Sequence, residues 1–91
     1  MQRVHYDIVV KGRVQRVRYR QSALEAAGGL GIDGFALNLP DGSVRIQAEG
    51  PREALDRLVT WCRTGPPAAR VEEVVVKEGP LQHHPPFHVR H

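Results

Sequence analysis

The amino-acid sequence predicts an α+β fold: a mostly antiparallel sheet of four or five strands with two helices on one face. Three observations carry that expectation. The hydrophobic pattern changes period along the chain in the order strand, helix, strand, strand, helix, strand, with a further short strand at the end. One hairpin signal, Pro40-Asp41-Gly42, joins the second and third strand segments directly. Finally, 91 residues, 41% hydrophobic and 25% charged, suffice for one small core, so residues 1–91 are read as a single domain. The order β-α-β-β-α-β is the split βαβ, ferredoxin-like plan.

Residues 3–11 alternate, with Val4, Tyr6, Ile8 and Val10 on one face and His5, Asp7 and Lys11 on the other, which predicts a half-buried strand. Gly12 ends it, and a basic segment follows. From Gln21 to Leu30 the spacing becomes helical, with Ala23, Ala27 and Leu30 on one stripe and Gly31 as the stop. A second strand runs from about Gly34 to Leu39. In the third, Val44, Ile46 and Ala48 alternate with Arg45, Gln47 and Glu49. Gly50-Pro51 opens a second helix, with Pro51 at its first position and Glu53 in its first turn. Leu55, Leu58, Trp61 and Cys62 form its apolar stripe, and Gly65-Pro66-Pro67 ends it. On that stripe Cys62 is a small core residue rather than a nucleophile. Residues 70–78 read as a strand around Val71, Val74, Val75 and Val76. A polar, proline-broken stretch then leads to a last short strand, Phe87-His88-Val89-Arg90.

Composition excludes several classes of function. No window approaches the ~20 consecutive apolar residues of a membrane helix, and the first residues are charged rather than secretory in pattern. A single cysteine excludes an internal disulfide framework and points to a reducing compartment, so the cytoplasm is expected. The net charge is +3, but its distribution says more. Lys11, Arg13, Arg16, Arg18 and Arg20 fall within ten residues that hold no acid, while the rest of the chain carries 8 basic and 10 acidic residues. Such a concentrated patch suits a localised anion such as a phosphate better than a polyanion footprint. It lies between the first strand and the first helix, where unpaired backbone N–H groups and the positive end of the helix dipole favour an anion. An arginine there adds a fork of donors matched to phosphate oxygens. The residues alone describe an oxyanion site without the lysine and glycine spacing of a Walker-type loop.

The stretch Gly12-Arg13-Val14-Gln15, then Val17, then Tyr19-Arg20, resembles the acylphosphatase signature G-x-V-Q-G-V-x-[FY]-R. Gly31-Ile32-Asp33-Gly34-Phe35-Ala36-Leu37-Asn38, followed by Asp41-Gly42, is similar to that family's second block, G-L-x-G-[WFY]-V-x-N-x-x-D-G. Ala48-Glu49-Gly50, Gly65-Pro66-Pro67 and the terminal Phe87-His88-Val89-Arg90 fit as well, so the resemblance spans essentially the whole chain. It implies the same ferredoxin-like fold and hydrolysis of acyl phosphates to a carboxylate and inorganic phosphate. By that similarity, backbone amides of the loop Gln15, Arg16, Val17, Arg18 and Tyr19 hold the phosphate, Arg20 binds its oxygens, and the Asn38 amide orients the attacking water. These roles accord with phosphoryl transfer, which needs positioning and charge stabilisation more than a covalent partner. No metal and no cofactor are implied. The expected partners are a small acyl phosphate and phosphate or other small anions, with no nucleic acid, no membrane and a monomeric chain.

The chain departs from the pattern at Arg16, where the family has glycine. Either Arg16 adopts the left-handed conformation at a cost on the order of 1–2 kcal/mol, or the loop takes another path. His83, His84, His88 and His91 crowd the C-terminus, and are read as solvated surface histidines rather than a built metal site. No His, Asp or Glu partner is evident beside Arg20 and Asn38. Two competing functions remain: a phosphate-binding or regulatory module of the same fold without turnover, and an RNA-binding domain. The third strand offers Ser43, Arg45 and Gln47 on its outer phase and no aromatic ladder, which disfavours RNA.

Overall fold

A computed structural model describes residues 2–91 of the chain. β1 (Arg3–Arg13) leads into α1 (Tyr19–Gly28), followed by β2 (Asp33–Asn38), β3 (Val44–Pro51), α2 (Arg52–Thr64), β4 (Arg70–Gly79) and β5 (His88–Arg90). The sheet order is β4-β1-β3-β2-β5, and only the β2–β5 pair is parallel. β1 and β2 therefore run parallel with β3 inserted between them, and β3 and β4 run parallel around β1. The result is two interleaved split βαβ units, the ferredoxin-like plan expected from the sequence. Among the described residues no helix is long and apolar enough to cross a membrane.

The period-2 pattern decides which face meets the helices. Val4, Tyr6, Ile8 and Val10 of β1 and Val44, Ile46 and Ala48 of β3 are buried against Tyr19, Ala23 and Ala27 of α1 and Leu55, Leu58, Val59 and Cys62 of α2. α1 starts at Tyr19, two residues before its periodicity shows, because Tyr19 occupies the position one turn ahead of Ala23 on the buried stripe. The flanking arginines hide it in the sequence. Its ring packs against Trp61 at 5.1 Å between centroids, and its hydroxyl donates to the Cys62 carbonyl at 2.8 Å. Leu30 lies beyond the last regular residue of α1, yet Gly31 is the stop: at φ +68 it lets the Ile32 amide reach the Ala27 carbonyl at 3.2 Å. Pro51 stands just before α2 instead of at its first position, since its ψ of 141° keeps it extended and paired with Arg3. Trp61 is only half-buried, and Val59 takes its expected place in the core.

The outer face of the sheet departs most from expectation. His5, Gln47 and Glu49, expected on the solvated phase, are buried beneath the segment 80–86 that crosses from β4 to β5. Glu49 explains why. Its Oε2 accepts from the Gln82 amide at 2.5 Å and from His5 Nδ1 at 2.8 Å, and its Oε1 accepts from the His84 amide at 2.8 Å. The His84 ring donates from Nε2 to Gln47 Oε1 at 3.0 Å and lies against Phe35, so it too is no solvated histidine. A buried carboxylate is tolerated because these donors face it. Burial pushes the Glu49 carboxyl up, but the two amides and His5 outweigh it and bring it down to about 2.

A carboxyl depressed in the folded state adds stability that is complete above its unfolded value of 4.5 and is lost as pH falls through about 2. Glu49→Gln is therefore expected to destabilise the protein by roughly 3 kcal/mol at pH 7. The gap to wild type narrows as urea titrations are repeated at decreasing pH, because protonated Glu49 and Gln are near equivalents. A gap that stays constant down to the lowest pH would contradict the assignment.

Candidate active site

The site is assembled by the chain between β1 and α1. At Lys11/Gly12 the pairing of β1 with β4 slips by a bulge, and Gly12 takes φ +128. A Cβ at Gly12 would lie 2.2 Å from the Arg70 carbonyl, so the bend requires glycine. Val14 is buried beneath the loop that follows. Gln15 then ties that loop to the β2–β3 turn: its Nε2 donates to the Leu39 and Ser43 carbonyls, each at 2.8 Å. The turn is itself closed by Asp41, which accepts from the Ser43 amide at 2.9 Å and from its hydroxyl. The loop is thereby pinned over the C-terminal end of β2, where Asn38 sits.

Arg16 and Arg18 both adopt φ 63, while Val17 between them does not have positive φ. Alternation of hand at successive residues turns their amides to one side, the backbone arrangement that makes an anion-binding nest. α1 follows at once. Its first internal bond is from the Ser22 amide to the Arg18 carbonyl, and its first turn holds no acid. The amides of Tyr19, Arg20 and Gln21 thus sit at a helix N-terminus without intrahelical partners.

Arg16, Arg18, Arg20, Asn38, Val89 and His91 line one cleft of about 180 Å³, with Val14 and Tyr19 beneath. It is smaller than the ~300–1,000 Å³ of sites for drug-sized ligands. Arg20 is half-buried, and its Nη1 donates to the Arg90 carbonyl at 2.5 Å with His91 Nδ1 at 3.4 Å. Both contacts fall on Nη1, which steadies the guanidinium and leaves Nε and Nη2 for a ligand. The Asn38 side chain lines the same cleft and has no hydrogen-bond partner among the described residues.

The candidate residues separate by what their side chains do. Arg16, Arg18, Arg20 and Asn38 come together at the cleft. Gln15 and Val17 do not line it: the Gln15 side chain anchors the loop and Val17 packs against the core. The Tyr19 ring is core, so only its amide is available to a ligand. Val89 and His91 were not legible as site residues, and His91 stands beside Arg20 where no titratable neighbour was expected. They arrive through parallel pairing of β5 with β2, which leaves no local signal in the sequence. Elsewhere, burial pushes the Cys62 thiol up to about 12, which leaves it inert as a nucleophile. His5, Glu49 and His84 place potential metal-ligand atoms within 4.8 Å of one another. Their two rings stack at 5.7 Å and 28°, however, so their in-plane lone pairs do not converge, and Glu49 is engaged by the amides above it.

A family model described as Acylphosphatase matches residues 6–89. The chain is 53% identical over 78 residues to the acylphosphatase of Methylococcus capsulatus, covering 86% of this chain and 83% of that protein. The chain belongs to the acylphosphatase family. It is also 53% identical over 75 residues to the acylphosphatase of Anaeromyxobacter dehalogenans, covering 82% of this chain and 81% of the relative. The crystal structure of acylphosphatase from Bacillus subtilis aligns with a TM-score of 0.94 at 35% identity, over 97% of this chain and 99% of that one.

As an acylphosphatase-family loop, residues 14–18 resolve the choice posed by Arg16. Arg16 itself takes the left-handed conformation. Arg16→Gly is expected to raise stability by up to about 1 kcal/mol, since relief of the left-handed strain is partly offset by the freer unfolded chain. Urea melts of the two proteins check this. A less stable variant would mean that the Arg16 side chain makes a contact worth more than the strain.

Proposed function

We propose that this protein hydrolyses small acyl phosphates to a carboxylate and inorganic phosphate, with Arg20 and Asn38 as the catalytic pair. One observation carries the reading: the left-handed loop, the α1 N-terminus, the Arg20 fork and an unengaged Asn38 amide all meet at one small cleft that no Asp or Glu lines. The loop amides and Arg20 hold the phosphoryl oxygens and answer the charge that builds on them in the transition state. Asn38 orients a water opposite the acyl oxygen. The water oxygen bonds to phosphorus as the phosphorus–acyl oxygen bond breaks, and its electron pair leaves with the carboxylate. A carboxylate is a weak base and leaves without a general acid. The proton of the water passes to a phosphoryl oxygen, so no general base is called for.

In this reading the chain acts as a cytoplasmic, monomeric enzyme that uses neither metal nor cofactor. Nucleic acid has no place in it. On the outer phase of β3, Arg45 is held by Asp7 at 2.7 Å and 3.0 Å, and Gln47 and Glu49 are covered by the segment 80–86. The Arg45 guanidinium in turn holds the Asp7 carboxyl below the usual carboxylate range. The test is release of phosphate from benzoyl phosphate in the presence of EDTA. Turnover above the uncatalysed rate is expected. A folded protein that binds phosphate without turnover would instead identify a regulatory module.

A further inference from the structure

The cleft holds more positive charge than one phosphoryl group requires. Arg16, Arg18 and Arg20 all line it, and no Asp or Glu does. Among the described residues the ion pairs engage Arg3, His5, Lys11, Arg45 and Arg52, and none engages Arg16, Arg18 or Arg20. The phosphoryl group is already answered by the loop amides, the helix N-terminus and the Arg20 fork. Two guanidiniums are left over.

Their position indicates what they would meet. Arg20 and Asn38 are half-buried, whereas Arg16 and Arg18 are exposed and stand at the rim of the same cleft. A substrate whose phosphoryl group sits at Arg20 must direct its acyl group outward, since Val14 and Tyr19 close the cleft beneath. The acyl group therefore leaves on the open side of the cleft, which Arg16 and Arg18 also line. Both hold φ 63, a conformation costly for any residue but glycine, so the backbone sets where these side chains leave the loop. A guanidinium fork there suits a carboxylate or a second phosphate, and a neutral acyl chain would leave the like charges unanswered.

Building on the hydrolase reading, we propose that Arg16 and Arg18 form a subsite for a second anionic group, so that the site selects acyl phosphates bearing a carboxylate or phosphate on the acyl chain. This contact exists before and during reaction alike, so it appears chiefly in KM and kcat/KM. It is also weakened by salt, because both side chains are exposed.

The experiment compares kcat/KM for succinyl phosphate and butyryl phosphate, which differ in a terminal carboxylate against a methyl group. It is run on wild type, Arg16→Gly and Arg18→Gln, at low salt and at about 0.5 M NaCl. Arg16→Gly suits the purpose because glycine accepts the left-handed backbone at that position. Wild type is expected to favour succinyl phosphate by about tenfold at low salt, with the preference shrinking in high salt and falling by about threefold to fivefold in each variant. The ratio is its own control, since partial misfolding lowers both rates together. Equal kcat/KM for the two substrates in wild type, or a preference unmoved by both substitutions, overturns the subsite while leaving the hydrolase. Hydrolysis of neither substrate overturns the hydrolase reading and the subsite with it.

Discussion

Arg20→Ala is expected to lower kcat for benzoyl phosphate by on the order of 10³-fold, and Asn38→Ala by on the order of 10²-fold. The difference follows from the kinds of contact each makes. Arg20 presents several charged donors to oxygens whose charge grows in the transition state, and the Arg90 carbonyl holds its guanidinium in place beforehand. Asn38 contributes one neutral amide that orders a water. Neither change is expected to unfold the protein. Arg20→Ala loses its one bond to the β5 backbone, worth about 1 kcal/mol, and Asn38 has no hydrogen-bond partner to lose. Steady-state assays with far-UV circular dichroism on the same preparations separate loss of chemistry from loss of fold. Arg20→Lys restores the charge but not the fork, and is expected to recover only part of the rate. Wild-type turnover in either alanine variant would remove that residue from the mechanism.

Gly34→Ala is expected to destabilise the protein by about 4 kcal/mol or more, enough to leave much of a 91-residue protein unfolded. Gly34 lies in β2 opposite Ala48 and takes φ +136. A Cβ there would stand 1.8 Å from the Gln47 carbonyl oxygen and 2.8 Å from its carbon. Those are backbone atoms of the neighbouring strand, so no rotamer change relieves the clash and β2 must part from β3. The Gly34 amide also donates to the Pro85 carbonyl at 3.0 Å, so the segment 80–86 loses an anchor at the same time. Gly50→Ala is the control within the same sheet. Its nearest neighbours are flexible side chains of Ile32 and Leu55 at 3.7 Å and 3.8 Å, and a change within about 1 kcal/mol is expected. Urea titration of both variants decides the matter, and a wild-type midpoint for Gly34→Ala would refute the argument.

Much of the fold was legible because local geometry writes it into the chain. Alternation at Val4, Tyr6, Ile8 and Val10 and at Val44, Ile46 and Ala48 follows from the two-residue repeat of a strand, and each of these residues is in the core. Pro40-Asp41-Gly42 announces the hairpin because the turn needs those backbone angles, and Gly42 takes φ 96. The site was legible in part. Spacing singled out Arg16, Arg18, Arg20 and Asn38, and the β1–α1 loop and the end of β2 bring them to one cleft.

What escaped the sequence shares one physical character: it depends on contacts between residues far apart in the chain. His5 and Glu49 read as outward residues because their strands alternate, yet the Gln82 and His84 amides bury them from more than thirty residues away. Nothing periodic marks the segment 80–86, since it is held by scattered polar contacts to Glu49, Gln47 and the Gly34 amide. Val89 and His91 reach the cleft only because β5 lies parallel to β2, a pairing no neighbouring residue specifies. By itself, then, the sequence determined the elements, their inward faces and the residues that carry the family pattern, all consequences of short-range backbone and side-chain geometry. The strand order, the covered outer face and the C-terminal wall of the cleft were decided by the tertiary structure, where distant polar groups satisfy one another.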